Sequence, residues 1–238
     1  MPLAAWLTLA GALLANALWQ PHVAAPAPSP PAALAAPPPL PVLRLVALGE
    51  PELLARLLLV GLFGPAASVG MAGPAAWMGL DYERLTGWLA ALLELDPTGQ
   101  APLLAAARLF GEVPDPERQR RMLAFIRQHY VADPMRRWPW LAHAVFVARH
   151  RLHDLPLALD LARELAAHAD PAGVPAWARQ MHLFVLEDMG EVEAVKVLIG
   201  GLLASGRLED PNERHFLEWR LRQMEQAAGD ANQARRRW

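Results

Sequence analysis

The sequence predicts an all-α protein: an α-solenoid of stacked antiparallel helix hairpins behind an N-terminal hydrophobic helix. Three observations predict it. Asp-Pro recurs at Asp96-Pro97, Asp133-Pro134, Asp170-Pro171 and Asp210-Pro211, with the prolines 37, 37 and 40 residues apart. Two stretches of helical apolar periodicity lie between consecutive pairs, each about as long as a globular helix. No segment sustains the period-two alternation of a half-buried strand.

The first element is an uncharged run. No Asp, Glu, Lys or Arg precedes Arg44, and Leu3–Trp19 (LAAWLTLAGALLANALW) is nearly long enough to span a bilayer. Residues 1–20 are therefore expected to be a membrane anchor or a signal segment. Ala15-Asn16-Ala17 has the small-x-small form of a cleavage site, but the usual positive n-region is missing. Residues 21–41 (PHVAAPAPSPPAALAAPPPLP) hold nine prolines. Proline fixes φ and removes a backbone donor, so this tract is expected to be an extended linker with about 60 Å of reach, at roughly 3 Å per residue.

Residues 42–80 are expected to form a helix and a loop. Gly49-Glu50-Pro51-Glu52 is a helix-start signal with proline and acid in the first turn, and the helix is expected to run to Phe63. Residues 64–80 are broken by two Gly-Pro pairs and read as a loop, although residues 57–80 are uncharged throughout and a second membrane segment is the competing reading.

Residues 81–230 are the expected repeat domain. Its hairpins are predicted at 99–112 with 116–132, 137–153 with 155–169, and 175–189 with 191–206. Asp115-Pro116-Glu117 is a further start signal. A proline after a helix end forces a turn, and a lone hairpin cannot cover its apolar face, so successive hairpins stack on one core. Residues 212–228 carry Phe216, Leu217, Trp219, Leu221 and Met224 among charges, the pattern of a solvating cap helix. Residues 231–238 are a polar and basic tail.

DYERLTGWLAALLELDP (81–97) resembles the second helix of a tetratricopeptide repeat, from its Asp-Tyr-Glu opening to its Leu-Asp-Pro end. Asp154–Pro171 keeps the ends and the small residues Ala158 and Ala162, and Gly190–Leu203 keeps the Gly-acidic opening with Ala194 and Gly201. The family's period is about 34 residues, so helices or turns must be lengthened here. RRWPWLAHA (136–144), LPLALDLAREL (155–165) and FVLEDMGEVEAVKVLIGGLL (184–203) are similar to bacterial membrane-anchored helical-repeat proteins. That resemblance implies an inner-membrane protein with one N-terminal span and its repeats in the periplasm; release into the periplasm after cleavage is the alternative.

Chemistry is sparse. There is no cysteine, hence no disulfide, thiol nucleophile or thiolate metal site. A net charge of −2 leaves no basic field for nucleic acid. Neither G-x-S-x-G nor a phosphate-cradling glycine loop occurs, so no cofactor and no catalysis are expected. His143, His150 and His153 share one side of a predicted helix and form the only candidate metal cluster, which would suit a metal-dependent hydrolase, but no HExxH pattern accompanies them.

Arg136-Arg137-Trp138-Pro139-Trp140 opens the first helix of a unit. The repeat resemblance implies that first helices line the concave face, which makes Arg136, Arg137, Trp140 and His143 candidate binding residues. An arginine there suits a carboxylate. The structural alternative has the tryptophans packing between hairpins, as Trp177 in the next unit suggests, with the arginines in solvent. The function expected is a non-catalytic scaffold for a protein or peptide partner, membrane-associated like itself. A structural subunit of a membrane complex is the alternative.

Overall fold

The computed structural model describes residues 34–68, 77–170, 172–206, 208 and 210–235. The hydrophobic run at 1–20, most of the proline tract and the last three residues of the tail lie outside them. The described chain is all-helical and contains no strand.

The folded part begins earlier than expected. Residues 34–39 are not a free spacer but an extended strap on the helix α3 (Tyr82–Leu95). Arg84 donates to the Leu34 carbonyl at 3.0 Å, and the Trp88 indole donates to the Ala35 carbonyl at 2.7 Å. Gly87 makes room for Pro37, whose ring atom stands 3.3 Å from where a Cβ would be. The strap leads into α1 (Leu40–Val46), with Pro39 as N-cap and Pro41 in the first turn. Leu40 and Pro41 fall in the tract expected to be extended, yet they are helical, because first-turn N–H groups have no intrahelical partner to lose.

A turn with Leu48 at φ 50° and Gly49 at φ 94° leads to α2 (Pro51–Ser68). α2 starts at the predicted signal but continues through Gly64-Pro65, past the predicted end at Phe63. Residues 69–76, about half of the expected loop, lie outside the described residues. No described helix is long and apolar enough to cross a membrane.

Asp side chains start several of the later helices, because a carboxylate at the N-cap satisfies first-turn N–H groups. Asp81 accepts from Glu83 N and Arg84 N to open α3. Asp115, Asp133 and Asp154 accept from Arg118, Arg136 and Leu157 N, opening α5 (Pro116–Tyr130), α6 (Pro134–His150) and α7 (Leu155–His168). Between α3 and α5 lie α4 (Ala101–Ala105) and a π-helical turn over Ala106–Phe110, closed by Gly111 N donating to Ala106 O at 2.8 Å. A Cβ on Gly111 would stand 2.9 Å from that same oxygen, so only glycine fits the closure. Then come α8 (Ala176–Arg179), α9 (Met181–Asp188), α10 (Val192–Ala204) and α11 (Pro211–Arg235).

The Asp-Pro pairs all sit between helices, in two roles. Asp96 closes α3, whereas Asp133-Pro134 and Asp210-Pro211 open α6 and α11, with proline in a first turn. Asp170 holds a tight turn by accepting from Ala172 N at 2.8 Å.

Packing runs between near neighbours in the chain. α5 packs on α6, α6 on α7, α7 on α9, α9 on α10 and α10 on α11; α3 meets α5, and α4 and α9 both meet α6. One apolar core of leucine, alanine and valine runs from Leu43 to Met224. Buried tyrosines lock its layers: Tyr82 donates to Phe110 O at 3.0 Å, and Tyr130 to Leu165 O at 3.2 Å. α11 covers the far end, its buried Glu213 accepting from Arg179 at 2.9 Å and from Gln180.

Candidate ligand groove

The first half of α6 carries bulky groups on one face. Trp138, Ala142 and Phe146 follow i, i+4, i+8, and Pro139 and His143 lie alongside. Pro139 removes the N–H that would bond the Met135 carbonyl, and the helix continues around it. The next layer brings Trp177 of α8 and Met181 of α9 against this face. Trp138 and Trp177 meet edge-to-face, ring centroids 5.6 Å apart at 74°, an arrangement the ring quadrupoles favour.

Between them opens a groove of about 430 Å³ lined by Trp138, Pro139, Ala142, His143, Phe146, Trp177 and Met181. No charged side chain among the described residues lines it. Trp177 is 54% exposed and Phe146 47% exposed, large aromatic surfaces left in water at its rim. Neither the Trp138 nor the Trp177 indole N–H has a hydrogen-bond partner among the described residues. The charges nearby are engaged elsewhere: Arg149 with Asp188 at 2.8 Å, and Arg151 with Glu112.

His143 is the one titratable wall. Burial first, and then the Arg108 charge, hold its pKa below the ordinary histidine value, opposed by Glu112. It is therefore neutral at pH 7. Its Nε2 is buried without a hydrogen bond, 3.5 Å from Glu112 Oε1 and beyond good bonding range. The ring lies nearly parallel to Phe146, at 22° and 6.1 Å. The groove thus offers dispersion contacts with aromatic and aliphatic side chains and almost no polar surface.

The candidate residues named from sequence are placed as follows. His143 is in the groove wall. Arg136 is exposed and paired with Asp133. Arg137 is turned inward, 4% exposed, and donates to Pro97 O at 2.8 Å and to His129 O. It ties the Asp96-Pro97 corner to the end of α5. Trp140 points away from the groove and donates to Gln100 Oε1 at 2.7 Å. Trp138 meets Trp177 of α8, and both line the groove; Phe146 and Met181 were missed.

His143, His150 and His153 do not converge. His150 packs on Phe146 at 4.7 Å, while His153 lies past the helix end in left-handed backbone, φ 52°. His143 and His150 are about 10 Å apart along the axis at 1.5 Å per residue, too far for one ion. No group of three His, Cys, Asp or Glu among the described residues is able to hold a metal.

No family model, no curated protein and no solved structure matches the chain.

Proposed function

We propose that this protein is a membrane-tethered, non-catalytic scaffold of stacked helix hairpins, similar in plan to a tetratricopeptide array, which binds a peptide segment of a partner in the α6–α8–α9 groove. The aromatic groove carries the reading. Its chemistry is that of a recognition surface: exposed Trp177 and Phe146 at the rim and an almost wholly apolar lining, with no charged side chain among the described residues. Buried aromatic anchors dominate peptide and protein interfaces.

The packing supports the array. α4 with the π turn and α5, α6 and α7, and α8–α9 and α10 are three successive hairpins. First helices meet first helices where α4 and α9 flank α6. α6 and α8–α9, which line the groove, are both first helices of their units, the position that lines the concave face in the resembling family. The uncharged run Leu3–Trp19 supports the tether, and the family-level likeness supports the periplasmic side of an inner membrane.

A peptide-display selection on the full chain in detergent micelles tests the binding claim, with the Trp177→Ala, Phe146→Ala double variant as counterselection. The reading expects peptides retained by the native chain and released by the variant. Selected peptides that bind both proteins equally would remove the groove from the account. The two side chains are exposed, so the variant retains its fold.

A further inference from the structure

The least satisfied surface of the molecule lies far from the groove in sequence. Apart from Glu52 and Arg56, the described side chains of α2 are apolar, on both sides of the helix. One side packs on the core through Leu54, Ala55, Leu58, Leu59 and Leu62. The opposite stripe, Leu53, Leu57 and Val60 at i, i+4 and i+7, is bare, with Val60 64% exposed. α1 repeats the pattern: Leu43 is buried while Val42, Leu45 and Val46 face water, Leu45 at 76%. The turn joining them adds Leu48, 89% exposed. Its φ of 50° is a left-handed backbone that leucine rarely adopts. A strained backbone that pushes a leucine into water breaks two local rules at once, which is the mark of a site built for something else. Apolar residues on opposite sides of a helix suit a protein core or lipid.

We propose that the exposed face of α1, Leu48 and α2 is a bilayer-contact surface, on which the folded part lies against the membrane that holds residues 3–19. The inference rests on the tether in the proposed function and adds where the tethered part sits. Three observations select lipid as the occupant. The chain reaches the fold at Leu34, bonded to Arg84, and runs through the strap directly into α1, so the tether leads along the chain into this face. Only residues 20–33 separate the uncharged run from Leu34, a leash of about 40 Å at roughly 3 Å per residue. Such a leash holds the face at an effective concentration in the millimolar range, where weak adsorption suffices. The exposed stripe Leu53, Leu57 and Val60 carries no charge, although other described surfaces are laced with ion pairs. Arg44, Arg56, Glu50 and Glu52 at the margins balance in sign, so the contact is apolar and indifferent to anionic headgroups.

The cysteine-free chain allows a direct test. Leu57→Cys and Leu45→Cys variants of the full chain carry an environment-sensitive fluorophore, with Asp160→Cys on α7 as the solvent control. Each is reconstituted into phosphatidylcholine vesicles, with and without phosphatidylglycerol. The proposal expects probes at 57 and 45 to lose their emission to acyl-chain spin labels, in both lipid compositions, and to resist aqueous iodide; the probe at 160 does the reverse. Iodide quenching at 57 and 45 equal to that at 160 overturns it. Protection from both quenchers also overturns it, assigning the face to residues 3–19 or to a second copy. A chain that fails to float with vesicles at all defeats the tether itself, whereas a floating chain with wet probes defeats only this inference.

Discussion

Replacing Arg137 with methionine should unfold the protein far more readily than the same change at Arg136, one residue earlier. Arg137 is buried, and its guanidinium donates to the Pro97 and His129 carbonyls. Methionine keeps the apolar stem and removes both bonds. A hydrogen bond from a charged donor contributes about 1.5–3 kcal/mol, and each stranded carbonyl loses its partner. Relief of the buried charge offsets part of this; burial already pushes the Arg137 pKa down, and its Nε has no partner. The balance is a loss of about 2–4 kcal/mol, because two carbonyls from different elements converge on one donor. At an m-value of about 2 kcal/mol/M, the urea midpoint falls by about 1–2 M. Arg136→Met breaks only an exposed pair with Asp133, within about 1 kcal/mol. Urea titration followed by far-UV circular dichroism reads both. Equal midpoints for the two variants, or an Arg137 variant that is fully stable yet loses peptide binding, would refute the reasoning.

Asp115→Ala removes the N-cap of α5 and should cost about 1 kcal/mol of stability by the same titration, with Asp115→Asn recovering most of it. Trp88→Phe deletes the bond to Ala35 O, so residues 34–39 should leave α3; faster amide exchange in that strap, with unchanged protection in α5–α7, is the expected result. Stability should decline with acid. Burial is the first cause holding His129, His143 and His182 below the ordinary value of 6.5, so the unfolded chain takes up protons that the folded chain refuses. Stability from these groups is present above about pH 6.5 and is lost as pH falls below it. Thermal midpoints at pH 7.5 and 5.5 check the sign, and His143→Gln should flatten part of the slope.

Much of the helix order is legible in the sequence because caps and turns are local. Asp81, Asp115 and Asp154 announce α3, α5 and α7 through short-range bonds, and the apolar period between them has no competitor. The two roles of Asp-Pro are not legible, since the same dipeptide suits the end of one helix and the first turn of the next. Nor is the strap at residues 34–39, whose partners Arg84 and Trp88 lie about fifty residues away. The π turn depends on Gly111, a single residue without a pattern of its own. The site was half visible. His143 and the aromatic character of 136–140 stood out, but which ring faces the groove depends on helix phase. Arg137 and Trp140 turn inward to Pro97 and Gln100, while Trp138, in the same five-residue segment, turns to Trp177. The i, i+4, i+8 run Trp138–Ala142–Phe146 was the signal that marks the open face. Its partner Trp177, on α8, is brought there only by tertiary packing.

Recognition by the α6–α8–α9 groove in the membrane is tested most directly by a photo-crosslinking amino acid at position 177 of the full chain, with one at position 160 as reference. The account predicts a discrete adduct with a protein partner from 177, abolished by Phe146→Ala, and none from 160. Identical crosslinking patterns from the two positions, or an adduct at 177 that persists in the Phe146 variant, would contradict it.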